Sequence, residues 1–280
     1  TGSLKITTGG SLNIKNGSGT DVTAYGTLEY AGGTFTQAAS ATMTIGATTG
    51  MYIHSIPSAT LSLPKFSWST NSTCSITGLN NSSPITATNM NQNFQKFIWD
   101  NPNQLAIVNI DDNAFKVIRT LTVGSSANNN LCISSTGTHT NSIAAVTITG
   151  GTLTGFSGTS DGTLTMSTLT ITNGTFIGNN SSGTTAINNT STITLNANGH
   201  YIASNNTGTV TAIVNNINLN SNGKITLINN ANSGNVTFNF ASTNRSLVLK
   251  DTSNLLLENV SSASGVAVIN ISSAFTCSST

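Results

Sequence analysis

Charged side chains are scarce in this sequence. Asp, Glu, Lys and Arg together make up 6% of its 280 residues, with nine basic and eight acidic side chains and a net charge of +1. Ordinary globular domains carry about 25% of these residues. Because the few charges are scattered, the sequence offers no basic patch for a nucleic acid. We therefore expect no nucleic-acid partner.

Long apolar runs and cysteines are also few. No stretch approaches the roughly 18 apolar residues of a bilayer-spanning helix, so we expect no membrane insertion. No charged and apolar leader opens the sequence, which predicts that Thr1 begins a mature or excised segment. The three cysteines, Cys74, Cys132 and Cys277, lack the spacing of a metal site. Their odd number favours buried free thiols, with one disulfide and one free thiol as the alternative.

Most of the chain is Ser, Thr, Asn and Gly, interrupted by short segments in which apolar and polar residues alternate. In the first part these segments lie at 4–6, 12–14, 28–30, 43–45 and 51–53. Alternation with a period of two is typical of strands that bury one face. The segments recur at about eight residues, which is too close for ordinary hairpin strands. Such spacing suits a coil of three short strands and three corners.

A longer period governs the second half. Its alternating segments lie at 146–148, 169–171, 193–195, 217–219 and 247–249, in steps of 23, 24, 24 and 30 residues. A repeat of this length marks a solenoid. Asn and Gly follow most segments, as at Asn173–Gly174 and Asn198–Gly199, and both tolerate left-handed backbone angles at corners. We therefore predict an all-β fold, a right-handed parallel β-helix (β-solenoid) of about 24 residues per coil, with the handedness taken from the general rule for parallel crossovers.

The regular pattern breaks between residues 54 and 117. This stretch contains all four prolines and both tryptophans, Trp68 and Trp99. We divide the chain into N-terminal coils at 1–53, an irregular region at 54–117 and C-terminal coils at 118–280, within one continuous solenoid. The irregular region is either a set of irregular coils with long loops or an insertion.

Groups suited to catalysis are sparse. Asp100, Asp111 and Asp112 form the only local group of carboxylates, and adjacent residues of a strand point to opposite faces. A solvated turn, with an incidental calcium ion as an option, is therefore favoured over a catalytic pair. The three histidines, His54, His139 and His200, have no second ligand at metal spacing. We expect His200 to lie at an exposed corner. A serine nucleophile would need a histidine and an acid placed around a strained strand-to-helix turn. Because serine is so common in this sequence, a local match to such a motif is weak support for a nucleophile.

Threonine pairs offer a further alternative. They occur at 42 and 44, 147 and 149, 170 and 172, and 192 and 194, where they could form outward ladders like those of ice-binding β-solenoids. Exposed strand positions favour Thr for its conformational propensity alone. Ice binding is therefore the weakest of the functions that the sequence suggests.

Two stretches carry a family resemblance. The segments 68–78 and 91–104, with flanking pieces at 26–35 and 148–154, resemble a recurring part of large secreted proteins of the Bacteroidetes. Such proteins look like long β-solenoid arrays exported by the type nine secretion route. The resemblance implies an extracellular or cell-surface stalk or adhesin module, with no catalytic residues or cofactor to carry over.

The resemblance also directs attention to the aromatic residues of the irregular region. We expect them to pack and cap the coils, with a surface for a ligand or partner as the alternative, formed by Trp68, Phe94, Phe97, Trp99 and Asp100. The predicted function is a structural or adhesive segment without catalysis, metal or cofactor. Self-association, or binding to an extracellular polysaccharide or host surface, is the expected kind of interaction. A carbohydrate-binding or polysaccharide-cleaving β-helix is the second hypothesis.

Overall fold

The computed structural model describes residues 2–17, 19–205, 209–214, 216–219, 223–229, 235–240, 247–249, 254–259 and 266–270. Within these ranges the chain is all-β and contains no helix. Its parallel strands stack as a β-solenoid of about nine turns, with equivalent positions about 23 residues apart. The predicted fold class is confirmed.

The strands are short at the start of the chain and longer in its middle. The first are β1 Ser3–Ile6, β2 Ser11–Ile14, β3 Val22–Ala24, β4 Thr27–Tyr30, β5 Thr34–Gln37, β6 Met43–Ile45 and β7 Met51–His54. Next come β8 Ser67–Trp68, β9 Thr73–Ile76, β10 Ile85–Thr86, β11 Asn93–Trp99 and β12 Val108–Asn109. The remaining strands are β13 Lys116–Val123, β14 Asn130–Ser134, β15 Thr138–Ile148, β16 Thr152–Gly158, β17 Asp161–Ile171, β18 Thr175–Ser181, β19 Thr185–Leu195, β20 His200–Asn205, β21 Val210–Val214, β22 Asn216–Leu219, β23 Lys224–Asn229, β24 Asn235–Phe240, β25 Leu247–Leu249, β26 Asn254–Asn259 and β27 Val266–Asn270.

Two long parallel sheets run through the stack. One has fourteen strands, ordered β1, β4, β7, β9, β11, β13, β15, β17, β19, β21, β24 and β27, with β22 pairing β19 and β25. The other has eight, ordered β10, β12, β14, β16, β18, β20, β23 and β26. Smaller sheets, β2 with β5 and β3 with β6 and β8, complete the first coils. Since every neighbour in a sheet comes from the adjacent coil, each coil covers the next.

Apolar side chains stack in columns inside the coils. Val146 pairs with Leu169, which pairs with Ile193, and all three are at most 1% exposed. The residues that follow them in sequence, Thr147, Thr170 and Thr194, point outward and are partly exposed. Burying one apolar side chain of these columns contributes about 1.5–3 kcal/mol, so the columns are the main source of stability.

The irregular region is built into the same stack. Strands β9 and β11 continue the longest sheet between β7 and β13, while β8, β10 and β12 have only two residues each. Two single bridges, from Ser58 to Leu79 and from Ser62 to Thr88, link its loops to the neighbouring coils. The coils here thus keep their parallel stacking but have long connections between short strands.

The two corner glycines named in the sequence analysis act differently from the prediction, although others such as Gly151 do have a left-handed backbone. Gly174 and Gly199 do not adopt a left-handed backbone, whereas Ala197 does, with φ at 47°. A Cβ on Gly174 would press against Ile148 and the carbonyl oxygen of Gly151, and one on Gly199 would meet the carbonyl of Ile171. Glycine is required at these corners because the preceding coil approaches so closely.

Candidate functional site

The predicted aromatic surface is largely interior. Phe94, Phe97 and Trp99 are all 0% exposed, so they cannot form a ligand surface, and this alternative was wrong for these three residues. Phe97 and Trp99 alternate inward on β11, and a register shift after Phe94 turns that ring inward as well. Their rings pack with one another, with centroids 4.8 Å and 6.4 Å apart. They fill the interior of the irregular coils, which is the packing role that the sequence favoured.

The three aspartates do not converge. Asp100, which is partly buried, accepts a 3.2 Å hydrogen bond from the side-chain amide of Asn129, one coil further along. Asp112 accepts from the backbone N–H of Ala114 at 2.9 Å. Each of these carboxylates therefore accepts a hydrogen bond at a different corner of the solenoid. Within the described ranges, no group of three His, Cys, Asp or Glu residues could hold a metal ion.

Asp111 lies outside the strands, in the connection between β12 and β13. Its φ is 45°, and its carboxylate accepts hydrogen bonds from Ser135, through both the backbone N–H and the 2.6 Å hydroxyl contact, and from Thr136 N–H at 3.2 Å. Asp111 thus ties its own corner to the corner of the next coil. Charge-assisted bonds of this type are among the stronger ones in proteins.

A serine pattern that sequence reasoning missed lies at Gly158–Gly162, which matches Gly-x-Ser-x-Gly. Its central Ser160 is 0% exposed and donates to the carbonyl oxygens of Ser134 at 3.2 Å and Ser157 at 2.7 Å. Strand β17 follows directly where a helix would be needed, so this is not the strand-to-helix elbow of a serine hydrolase. The hydroxyl is used in stacking the corners.

A serine–histidine contact occurs nearby. Ser134 Oγ lies 2.6 Å from His139 Nδ1. Ser134 is itself 0% exposed, so no substrate could reach its hydroxyl in this conformation. The contact fixes the start of β15 against β14.

The other two histidines are held within the fold. His54 is 2% exposed, its Nδ1 lies 3.1 Å from the hydroxyl of Tyr52, and burial lowers its pKa to about 4. His200 does not sit at an exposed corner, so that expectation was wrong: it begins β20, is partly buried, and its Nε2 lies 2.8 Å from the hydroxyl of Thr226. Burial, and then the cation of Lys224, lower the pKa of His200.

Two of the three cysteines are buried free thiols, as predicted: Cys74 and Cys132. Burial raises the pKa of both, to about 12 for Cys132. Since the thiolate is the reactive form, neither is suited to nucleophilic chemistry at neutral pH. Cys277 lies outside the described residues.

A surface depression adjoins Trp68, and we call it the Trp68 cleft. It has a volume of about 660 Å³, and its lining includes Lys65, Trp68, Asn91, Asn93, Gln95 and Ile118, above Gln92. The indole of Trp68 is partly exposed at the cleft and packs on its inner side against Phe66 and Phe94, with centroid distances of 5.3 Å and 5.1 Å. Trp68 is thus one of the five predicted surface residues that does line a cleft.

Gln92 fixes the floor of this cleft. Its Oε1 accepts from the indole N–H of Trp68 and from the backbone N–H of Phe66, both at 2.9 Å. Its Nε2 donates to the carbonyl oxygens of Pro64 at 3.0 Å and Asn89 at 2.6 Å. Gln92 is 7% exposed and all of its hydrogen-bonding capacity is in use. The orientation of the Trp68 ring is thus set by a buried side chain.

A second depression, the Tyr30 cleft, lies beside the first and shares Lys65 with it. It has a volume of about 500 Å³, and its lining includes Tyr30, Phe35, Gln37, Ser62, Lys65 and Asn89. Gln37 holds the shared wall, because it accepts from the backbone N–H of Lys65 and donates to its carbonyl oxygen, both at 3.0 Å. The two glutamines therefore clamp the same segment from both sides.

The threonine ladders are present at outward strand positions. Four consecutive coils place Thr122, Thr147, Thr170 and Thr194 as direct partners, and the threonines at 168 and 192 pair one column away. Ala145 interrupts that second column, and Lys96 and Ile98 occupy the two columns nearer the N-terminus. This register follows from coil stacking, so the ladder alone does not indicate a ligand.

No family model, curated protein or solved structure matches this chain. In the part that the structure describes, no helix is long and apolar enough to cross a bilayer.

Proposed function

We propose that this chain is a structural or adhesive segment of a secreted or cell-surface bacterial protein, acting as a stalk, an adhesin module or a component of an extracellular filament. The proposal extends the resemblance to the secreted β-solenoid proteins of the Bacteroidetes. It assigns the chain no catalytic step.

The main support is how the polar and reactive side chains are used. Several buried or partly buried polar side chains bond to corners of neighbouring coils, as Ser160, Asn129 and Asp111 do. The interior is filled by apolar columns and aromatic rings from the first coil onward. Groups committed to stacking in this way stabilise an extended body, which is what a stalk requires.

Polysaccharide cleavage has weaker support. Glycoside hydrolysis commonly uses two carboxylates that flank the scissile bond, and no Asp or Glu is among the described residues that line the Trp68 and Tyr30 clefts. Asp100, Asp111 and Asp112 serve three separate corners.

Two measurements test the proposal. Antibodies against the purified chain are expected to label intact cells of the source organism or to detect the protein in the culture medium. Incubation of the chain with a panel of polysaccharides is expected to release no new chain ends. The proposal would be refuted if the antibodies labelled the protein only after the cells had been lysed, or if the chain cleaved a polysaccharide.

A further inference from the structure

We infer that the Trp68 and Tyr30 clefts together form a binding site for an oligosaccharide. The inference deepens the proposed adhesive function and rests on it, since it names the class of ligand to which the segment would adhere.

The two clefts lie side by side and share Lys65. Their lining comes from positions 30–41, 62–68, 89–95 and 118, which belong to successive coils. Four coils span about 15 Å at the usual spacing between strands. Lys65 lies in both linings, so a chain-like ligand aligned with the solenoid axis would pass from one cleft to the other beside it.

The partly exposed aromatic rings suit the apolar faces of sugars. Tyr30, Phe35 and Trp68 are each partly exposed and line these clefts. The face of an aromatic ring carries negative charge density, which attracts the slightly positive C–H groups of a sugar ring. Ile118, 51% exposed at the rim of the Trp68 cleft, extends the apolar surface.

The polar groups in the Trp68 cleft suit hydroxyls. Asn91 and Asn93 are exposed, and Gln95 is partly exposed. None of the three side chains hydrogen-bonds to another residue that the structure describes. A side-chain amide both donates and accepts, as a sugar hydroxyl does. Lys65, which has no ion pair within the described ranges, adds a donor that would favour an acidic sugar.

The site is also held in shape before any ligand arrives. Gln92 fixes the indole of Trp68, and Gln37 and Gln92 fix the backbone of the wall at Lys65 and Phe66. A preformed site avoids part of the entropy cost of ordering its groups on binding. Concave sites with apolar walls and a few well-placed polar groups are the usual form of ligand sites in proteins.

The test is a screen of the intact chain against an array of neutral and acidic oligosaccharides, followed by calorimetric titration with those retained. Tryptophan fluorescence supplies a second signal. Trp68 faces the cleft and Trp99 is 0% exposed, so ligand should change the emission of the wild-type chain but not of a Trp68→Phe variant.

Three variants and a matched control locate the binding. Asn91→Ala with Asn93→Ala removes exposed amides, and Ser67→Trp fills the Trp68 cleft from an exposed position; each should weaken binding at least tenfold. Lys65→Met should weaken binding of acidic sugars more than of neutral ones. The control, Asn80→Ala with Asn103→Ala, changes two exposed asparagines outside both clefts and should bind like the wild type.

Retention of no oligosaccharide, or binding that the cleft variants leave unchanged, would overturn the inference. If antibodies label the cell surface but the chain binds no oligosaccharide, the proposed sugar site is rejected and the proposed structural or adhesive function still stands. Failure of the labelling test would remove the proposed function independently of the array.

Discussion

The indole N–H of Trp99 donates a 2.9 Å hydrogen bond to the side-chain oxygen of Gln104, and both residues are at most 1% exposed. The Nε2 of the same glutamine donates to the carbonyl oxygen of Ala106 at 2.7 Å and to that of Asn130, on the next coil. A tryptophan that sequence reasoning considered as a ligand surface is thus a buried ring, and a single amide satisfies its polar atom.

Replacing Gln104 by Met should therefore be strongly destabilising. The change leaves a buried indole N–H and two carbonyl oxygens without this partner, and each such loss costs about 1–3 kcal/mol. We expect the free energy of unfolding to fall by about 3 kcal/mol. Denaturation in urea, followed by circular dichroism, measures it. Gln95→Met, at a partly exposed position without a side-chain hydrogen bond in the described structure, is the control and should change stability by less than about 0.5 kcal/mol. Equal effects of the two changes would contradict the role assigned to Gln104.

The inward and outward positions of one strand should respond very differently to truncation. Leu169 is 0% exposed between Val146 and Ile193, so Leu169→Ala leaves a cavity in the apolar column and should cost about 3 kcal/mol. The adjacent Thr168 points outward and is partly exposed, and Thr168→Ala should cost less than about 1 kcal/mol. Chemical denaturation of the two variants provides the comparison. A larger loss at Thr168 would mean that the assigned faces are reversed.

Acid should weaken the fold through His54. Burial lowers its pKa to about 4 from the usual 6.5 of a histidine. Between these values the unfolded chain binds a proton that the folded chain does not, so stability is fully present above pH 6.5 and falls as the pH drops towards 4. The full effect is about 3 kcal/mol.

The fall in melting temperature between pH 7 and pH 4.5 measures this contribution. His54→Gln should reduce the fall, because the variant has no group that must stay unprotonated at this position. His200→Gln is the comparison, and it should have a smaller effect because His200 is only partly buried. An unchanged pH dependence in the His54 variant would exclude the mechanism.

The buried thiols should resist modification. In a Cys277→Ser variant only Cys74 and Cys132 remain, and both are 0% exposed with raised pKa values. We expect no reaction with a thiol-specific reagent at pH 8 in the native state, and labelling of two thiols per chain in guanidinium. Rapid labelling of the native variant would show that the coils around these residues open readily.

The regular coils were the easiest part to predict. The segments at 146–148, 169–171 and 193–195 alternate with a period of two and recur after 23 and 24 residues, and the structure places their apolar residues in the same columns. The pattern was readable because each coil repeats the environment of its neighbour. A side chain that is inward in one coil is inward in the next.

The irregular region was harder to interpret. Its aromatic residues were expected to pack the coils, with a ligand surface as the alternative. Local alternation could not decide between the two, because a register shift on β11 turns Phe94 inward with Phe97. The clamping role of Gln92 left no signal, since its partners at Pro64, Phe66, Trp68 and Asn89 are distant in sequence or have no motif. The clefts exist only because these segments meet on neighbouring coils.

The sequence by itself determined the parallel coil, its repeat of about 24 residues and the absence of concentrated charge, because each follows from local alternation and composition. Only the tertiary structure decided which aromatic rings are buried, which amides are bonded and which line an open cleft. The physical reason is that these outcomes depend on contacts between residues about one coil apart, and stacking sets those contacts across the corners, where the alternating pattern is interrupted.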